Sequence, residues 1–295
     1  MKYHVLYNTM AGHGDAKQKA GELSAALEGE VCLCDISTIS YPEFISSIDA
    51  DDTIVICGGD GTLNRFANDT DGIDISNEIL YYPAGTGNDF LRDIEAPSDK
   101  PISVGKYLKD LPVVEVNGKK YKFLNNVGFG IDGYCCEVGD ELKKTSDKPV
   151  NYTAIAIKGL LFNYKPTNAV ICVDGKEYSY RKVWLAPTMK GRFYGGGMMA
   201  APEQDRTAAD GKLSIMLFHG KGRLATLIAF PSIFKGEHVQ KKNIVALHTG
   251  YDISVKFDAP AAIQIDGETI TGITEYHAYA KAEAPTEAQA KAACV

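Results

Sequence analysis

Hydrophobic and polar positions follow two different patterns along the chain, and the change falls near Val113. Before it, short apolar runs alternate with segments whose apolar residues recur at helical spacing. The predicted strands are 2–8, 31–36, 53–57 and 79–83, and the predicted helices are 15–27, 42–48, 63–68 and a turn from Asp89. This alternation predicts an α/β N-terminal domain with a doubly wound, mostly parallel sheet and right-handed crossovers.

After Val113, strand-like runs predominate and are separated by Asn-Gly or Asp-Gly pairs. Asp174-Gly175 lies between the runs 169–173 and 178–185, which is the strongest hairpin signal in the chain. A single helix is expected at about 150–162. This half is predicted to be a mainly antiparallel β-sandwich or barrel.

These patterns divide the chain into an α/β domain at 1–112 and a β-rich domain at 113–272, with the active site expected in the interdomain cleft. The segment at about 273–281 could return to the first domain. Residues 282–295 are rich in Ala, Glu and Lys and have no apolar face to bury. We predict that this tail is disordered.

The stretch 53–67 contains the sharpest change of pattern in the first half. Its run from Thr53 to Cys57 is apolar and rich in β-branched side chains, as in a strand buried on both faces of a parallel sheet. Gly-Gly-Asp-Gly follows at 58–61, where missing β-carbons are expected to allow positive φ and close approach of backbone N–H groups to a ligand. A strand, a glycine turn and a helix N-terminus predict an anion site.

Asp60 changes this anion site into a predicted Mg-nucleotide site. A carboxylate repels phosphate unless a metal lies between them, and Mg²⁺ is commonly held by one or two carboxylates plus phosphate oxygens. The turn is not a Walker A loop, because no Gly-Lys-Ser/Thr follows, nor a dinucleotide fingerprint, because the third glycine is absent. Taken alone, it could also be a tight strand-to-helix connection.

Two further strand ends carry polar, glycine-rich turns. Pro-Ala-Gly-Thr-Gly-Asn-Asp-Phe occupies 83–90, and Asn-Thr-Met-Ala-Gly-His-Gly occupies 8–14. Loops at the carboxyl ends of strands share one rim of an open α/β sheet, which is where ligands bind. Asn8 and Asn88 could contact such a ligand or cap their own turns.

The ordered set of motifs resembles the diacylglycerol kinase catalytic-domain family, which includes soluble bacterial diacylglycerol and lipid kinases and is related to sphingosine and ceramide kinases. The resemblance extends over about residues 1–280. GGDGT alone is shared with NAD kinases, whereas the set is far more specific. The matching segments are GGDGT (58–62), PAGTGNDF (83–90), NNVGFGID (125–132), GGGM (195–198) with Pro202, DGKL (210–213) and QIDGE (264–268).

The resemblance implies ATP and Mg²⁺ as cofactors. It assigns nucleotide contacts to Asn8, Thr9, Gly58, Gly59, Asp60, Gly61, Thr62, Gly85, Thr86, Gly87 and Asn88. It assigns the catalytic Mg²⁺ and its waters to Asp60, Asp89 and Asp132. Thr9 stands where the family usually has proline, so the fixed φ is lost while a hydroxyl donor is kept. We expect activity to survive this change.

Asp266 is the predicted general base, assisted by Glu268. Alternation in the run 262–266 places Ala262, Gln264 and Asp266 on one face of a strand while Ile263 and Ile265 face the core. Without the resemblance, Asp266 would be interpreted as an Asp-Gly turn residue. The resemblance also implies a structural Mg²⁺ site formed by Thr207, Asp210 and Lys212.

Composition limits the possible partners. The 295 residues carry a formal net charge of -7, which argues against nucleic-acid binding and against purely electrostatic docking to anionic membranes. The start of the chain is interpreted as a first strand rather than a signal peptide. The seven cysteines fit a reducing compartment, and we interpret all as structural; Cys32 and Cys34 share one face of a strand but have no partner at metal-binding spacing.

We therefore expect a cytoplasmic enzyme, peripheral to the inner face of the membrane, that transfers the γ-phosphoryl group of ATP to a lipid hydroxyl in phospholipid biosynthesis. The acceptor implied by the resemblance is diacylglycerol, giving phosphatidic acid. Transient membrane contact is expected through 152–162 or 224–234, although both segments could simply be buried. A homodimer is possible on general grounds.

Two alternatives stay open. The chain could phosphorylate another lipid or a soluble hydroxyl acceptor, as sphingosine kinases and NAD kinases do. It could also be a nucleotide-binding regulatory module without turnover. The Asp266→Asn variant separates these, because only a kinase loses turnover while keeping its nucleotide.

Overall fold

The structure is a computed structural model that describes residues 2–9, 15–85, 88–145 and 150–280. Thr86, Gly87 and the tail predicted to be disordered lie outside these residues. The chain forms two compact units, Met1–Lys109 and Asp110–Val295. Each unit is described in turn.

The first unit contains a mixed sheet. Its described strands are β1 (Lys2–Tyr7), β2 (Glu30–Asp35), β3 (Thr53–Gly58), β4 (Glu78–Pro83) and β5 (Ile102–Ser103). They lie in the order β2-β1-β3-β4-β5, with parallel pairing except for the antiparallel edge pair β4-β5. Every residue of β3 is buried, as predicted from its β-branched run.

Helices follow the strands of this sheet, which confirms the predicted α/β alternation. They are α1 (Asp15–Ala26), α2 (Tyr41–Ser47), α3 (Asp60–Asp69), α4 (Asp89–Asp93) and α5 (Gly105–Leu108). Ala20 and Leu23 of α1 are buried against Val5 and Val55, as the helical spacing predicted. One boundary differs from expectation, because α3 begins at Asp60 rather than at Leu63.

The second unit contains a large antiparallel sheet, which confirms the predicted β-rich half. The described strands of this unit are β6 (Val113–Val116), β7 (Lys119–Lys122), β8 (Asn126–Gly130), β9 (Thr167–Val173), β10 (Lys176–Val183), β11 (Leu185–Met189), β12 (Phe193–Tyr194), β13 (Met198–Met199), β14 (Leu213–Phe218), β15 (Val245–Gly250), β16 (Asp252–Ile265) and β17 (Glu268–Tyr279). Strands β12 and β13 form a separate two-stranded sheet. The main path is β15-β14-β11-β8-β16-β17-β6-β7, and β9 pairs with both β10 and β16.

Strand β16 holds the two parts of this sheet together. Its first half pairs with β9 and its second half with β8, and the register shifts near Ala261. Such irregularities bend a strand. Because of the bend, one continuous strand contributes Val255 and Ile263 to the same apolar core, and it carries the chain to Asp266.

Two Asp-Gly pairs form the tight turns that the sequence predicts. Asp174 and Gly175 have φ of 48° and 81°, and Asp266 and Gly267 have φ of 46° and 96°. Positive φ at both central residues is the geometry of a two-residue hairpin turn of type I′. The hairpin between β9 and β10 therefore forms as predicted.

Two expectations about the second unit were wrong. The helices are α6 (Ile131–Thr145), α7 (Tyr152–Lys158), which continues as a π-helix at Gly159–Asn163, and α8 (Arg223–Ala229), with 3₁₀ turns at Phe230–Lys235 and Glu237–Gln240. The single helix expected at 150–162 is thus one of several. The chain end does not return to the first unit as far as Tyr279, because β17 pairs with β16 and β6.

Candidate active site

In the first unit, the acids Asp60 and Asp89 stand at the starts of neighbouring helices. The backbone N–H groups of Asp89 and Phe90 donate to Asp60 Oδ2 at 2.8 and 3.1 Å. The Asp89 carboxylate is buried and accepts from Arg92 at 3.3 Å. Asp60 therefore satisfies two N–H groups that a helix start leaves without an intrahelical partner, and it connects the two predicted nucleotide motifs.

Gly58 and Gly85 of these motifs are required for close packing rather than for positive φ. Gly58, Gly59, Gly61 and Gly85 are absent from the described residues with positive φ, and Gly59 has φ of -96°. A β-carbon on Gly85 would lie 2.6 Å from the Cα of Gly59, backbone against backbone. The positive φ that the missing β-carbons would allow is therefore not adopted at these four glycines. Asp60, Gly61 and Thr62 form the first turn of α3.

The asparagine and threonine positions are held in different ways. Asn8 is buried just after β1, and the Thr9 hydroxyl donates to Asp35 Oδ2 at 2.5 Å. Asn88 precedes α4 without a side-chain capping bond. Its Nδ2 donates to Gly85 O at 3.4 Å, while its Oδ1 is buried and has no hydrogen-bond partner among the described residues. A buried acceptor without a donor is costly, which favours a ligand at this position.

Sequence analysis missed Lys19. This residue lies on α1, and its ammonium group donates to the carbonyl oxygen of Ala84 at 2.6 Å. Ala84 belongs to the glycine-rich motif after β4, so a positive charge stands beside that loop. Nothing in the local sequence distinguishes Lys19 from the other basic residues of α1. Its helical spacing from the loop at 8–14 was the one signal that could have identified it.

In the second unit, the predicted base Asp266 is held by consecutive backbone amides. The N–H groups of Leu124, Asn125 and Asn126 donate to its carboxylate, the last two at 2.8 and 3.0 Å. Arg206, which sequence analysis also missed, donates to Leu124 O at 3.2 Å and to Asn125 Oδ1 at 2.8 Å. The segment before β8 is thus clamped around Asp266.

Burial raises the pKa of Asp266 to about 6, against the opposing effects of the three amide bonds and of Arg206. A carboxyl group with this pKa is mostly ionised at neutral pH yet remains basic enough to accept a proton. Glu268 follows two positions later, exposed, at the start of β17. The strand face that Asp266 shares with Gln264 is itself buried, since Gln264 is 4% exposed.

Asp132 lies in the second unit at the start of α6, buried beside Tyr194. The Tyr194 hydroxyl is 3.0 and 3.1 Å from its two carboxylate oxygens. Burial raises the pKa of Asp132 to about 8, so the group is mainly protonated at neutral pH. A neutral carboxyl is a poor ligand for Mg²⁺. Its predicted metal role stays a prediction that this environment does not favour.

The residues predicted to hold a structural Mg²⁺ are engaged with one another and with their neighbours. The Asp210 carboxylate accepts from the ammonium group of Lys212 at 3.2 Å. The Lys212 carbonyl accepts from Gln204 at 2.8 Å, and the Thr207 hydroxyl donates to Asp205 at 2.7 Å. A cavity of about 210 Å³ opens beside them. The structural Mg²⁺ site stays a prediction.

Comparison with known proteins supports the family resemblance. Residues 2–116 match the family model described as diacylglycerol kinase catalytic domain, and residues 125–280 match the YegS C-terminal NAD kinase beta sandwich-like domain. A Mycobacterium tuberculosis (strain ATCC 25618 / H37Rv) protein named diacylglycerol kinase is 27% identical over 253 residues, which are 81% of this chain and 80% of that protein.

A solved structure shares the fold. The crystal structure of a diacylglycerol kinase from Bacillus anthracis str. Sterne matches with a TM-score of 0.63 and 22% identity, covering 94% of this chain and 93% of that one. The first family model covers most of the first unit and ends at residue 116, just inside the second unit. The other family model lies within the second unit. The chain belongs to the diacylglycerol kinase family, in the form that joins its catalytic domain to a YegS C-terminal β-sandwich-like domain.

Proposed function

We propose that this protein is an ATP-dependent lipid kinase that transfers the γ-phosphoryl group of ATP to the free hydroxyl of diacylglycerol, giving phosphatidic acid. The carrying observation is Asp266, whose carboxylate is fixed by three amides and has a pKa near 6. The names of the relatives support the lipid acceptor. Phosphoryl transfer needs charge neutralisation and a destination for the acceptor's proton.

Several features of the first unit fit a Mg-nucleotide. Gly61 has no atom within 4 Å of the place of a β-carbon, so the first turn of α3 is open to an approaching group. Asn88 Oδ1 is a buried acceptor that needs a donor. Asp60 and Asp89 supply the one or two carboxylates that Mg²⁺ prefers in phosphate sites. Bound ATP would supply the phosphoryl group, and bound Mg²⁺ would neutralise the charge of its phosphates.

Asp266 would act as the general base. In the ionised form it would accept the proton of the lipid hydroxyl as that oxygen bonds to the γ-phosphorus, the bond from the γ-phosphorus to the bridging oxygen breaks and ADP leaves. The three amides hold the carboxylate in one orientation. Glu268, exposed two residues later, would assist through water.

A surface of the second unit fits contact with a lipid bilayer. Phe162, Leu224 and Ile228 are 71%, 70% and 73% exposed, and we call them the apolar patch. Leu224 and Ile228 share one face of α8, and Arg223 of α8 donates to Leu160 O of the π-helix at 3.0 Å. Exposed apolar side chains that lie together are a feature of protein and membrane binding surfaces.

Such a patch supports transient peripheral contact, with the exposed basic residues Lys158 and Lys165 available to lipid head groups. In the described part of the chain, none of the helices combines the length and the apolar content needed to span a bilayer. We therefore propose that the enzyme takes its acceptor from the membrane surface through local contact.

The test is transfer of labelled phosphate from ATP and Mg²⁺ into diacylglycerol in mixed micelles, with sphingosine and NAD offered separately. Label in phosphatidic acid supports the proposal. Label only in sphingosine or NAD would contradict diacylglycerol as the substrate but would still support kinase activity. Nucleotide binding without transfer to any acceptor would favour the regulatory module.

A further inference from the structure

Two thiols and an imidazole come together on the first two strands of the first unit. His4 of β1 lies opposite Cys32 of β2 in the parallel register, and Cys34 follows on the same face. The sulfur atoms of Cys32 and Cys34 are 3.9 Å apart. One ring nitrogen of His4 and both sulfur atoms all lie within 4.8 Å of one another.

His4 is oriented as metal-bound histidines are. The residue is 6% exposed, and its Nε2 is 2.8 Å from Asp52 Oδ2. A carboxylate only accepts, so Nε2 carries a hydrogen, and in the neutral imidazole Nδ1 then has the lone pair. Nδ1 is buried and lacks a hydrogen-bond partner within the described residues. Metal-ligating histidines commonly donate their other N–H to a carboxylate in this way.

The cysteines determine which cation suits the site. Thiolate and imidazole ligands favour Zn²⁺ and similar cations over Mg²⁺, which prefers oxygen. Three protein ligands leave a fourth tetrahedral position, and Cys32 is exposed, so water can occupy it.

We propose that His4, Cys32 and Cys34 form a binding site for Zn²⁺ or a similar thiophilic cation, positioned by Asp52. The cation connects the edge strand β2 to β1. This site contains no residue of the proposed kinase chemistry, so metal binding can be tested independently of kinase activity. The sequence alone did not indicate it, because His4 is 28 positions from Cys32 and only strand pairing brings them together.

The test uses the full chain, reduced and stripped with a chelator, and titrated with Zn²⁺ alone in competition with a colorimetric chelator. We expect one tightly bound Zn²⁺ per chain. Asp52→Asn should weaken binding about 10–100-fold, and Cys32→Ser or Cys34→Ser should weaken it further. Cys172→Ser, a cysteine of the second unit, is the matched control and should bind Zn²⁺ as the unchanged protein does.

Co²⁺ substitution provides a readout that does not depend on affinity. Bound Co²⁺ should show thiolate charge-transfer absorption that is lost in Cys32→Ser, while Zn²⁺ should protect Cys32 and Cys34 from alkylation. Circular dichroism checks that each variant is folded. Absence of stoichiometric uptake by the reduced protein, or equal uptake by both serine variants, would overturn the proposal. So would formation of a Cys32–Cys34 disulfide in place of metal uptake.

Discussion

The backbone N–H of Asp89 donates to the carboxylate of Asp60 at 2.8 Å, so the acid that begins α3 also holds the beginning of α4. Phe90 adds a second donor at 3.1 Å. Asp60 therefore has a structural role in the first unit in addition to the metal role proposed for it. A substitution there has to be tested for both.

Asp60→Asn separates the two roles. The amide oxygen can still accept from Asp89, but the charge that attracts Mg²⁺ is lost. We expect a loss of about 1 kcal/mol in unfolding free energy and a fall of about 10²–10³-fold in turnover. Denaturant unfolding and phosphate transfer measure the two effects. Asp69→Asn on the same helix is the control, expected to change stability by less than about 0.5 kcal/mol; equal turnover in both variants would contradict the metal role.

Gly85→Ala and Gly61→Ala form a matched pair. At Gly85 the new methyl would meet the Gly59 backbone at 2.6 Å, so we expect a loss of about 1–3 kcal/mol in unfolding free energy. Gly61 lies in α3 with open space around it, so alanine should stabilise by about 0.5–1 kcal/mol. If the open space receives a phosphate, Gly61→Ala should nevertheless bind ATP more weakly. Unchanged ATP affinity would exclude that contact.

Asp132→Asn should change how stability depends on pH. The pKa of Asp132 is raised from 3.8 to about 8 in the folded state, so the folded protein binds more protons than the unfolded chain between these values. Its contribution is therefore fully favourable below pH 4 and is lost progressively as pH rises towards 8. The asparagine variant cannot ionise and avoids this loss.

We therefore expect Asp132→Asn to raise the thermal unfolding midpoint relative to the unchanged protein at pH 8 more than at pH 5. Asp258→Asn, at an exposed carboxylate of β16, should show no such difference between the two pH values. A greater relative destabilisation of Asp132→Asn at pH 8, especially with Mg²⁺ present, would indicate that Asp132 is ionised and binds metal.

The apolar patch should control membrane binding without affecting folding. Leu224→Ser and Ile228→Ser each remove an exposed apolar side chain, and each should weaken sedimentation with phospholipid vesicles by about tenfold or more. Stability should change by less than about 0.5 kcal/mol. Val170→Ser is the control, since Val170 is exposed on β9. Equal vesicle binding by all three variants would exclude the patch as the docking surface.

The α/β alternation was predictable because its signals are local. The buried run of β3 and the spacing of Ala20 and Leu23 report directly on which faces are covered. Helix α6 was not predictable in this way, because Gly133 and Gly139 disfavour a helix. The structure explains Gly133, where a β-carbon would lie 1.8 Å from the carbonyl oxygen of Ala262, so the helix packs directly on the backbone of β16.

The site residues also differ in whether local sequence could identify them. Asp60, Asp89 and Asp266 belong to motifs that are contiguous in sequence, so they could be selected before the structure was known. Arg206 holds Leu124 and Asn125, which are 82 and 81 positions away from it in sequence and which bind Asp266. Only tertiary pairing brings such groups together, and no local pattern contains this information.

The pKa of Asp266 predicts the acid side of the pH–rate profile. Because the base must be ionised and its pKa is raised to about 6, turnover should fall about tenfold for each pH unit below 6. Turnover should level off above about pH 7 on this account. Phosphate transfer measured from pH 4.5 to 8 checks this, and a rate that stays constant down to pH 5 would contradict a base with this pKa.

The most direct test of the account is transfer of labelled phosphate from ATP to diacylglycerol by the unchanged protein and by Asp266→Asn, with Asp258→Asn, on the strand that leads to Asp266, as the control. We expect label in phosphatidic acid with the unchanged protein and the control. Asp266→Asn should lose about 10²–10⁴-fold in rate while still binding ATP. Transfer by Asp266→Asn at the rate of the control would contradict the proposed base.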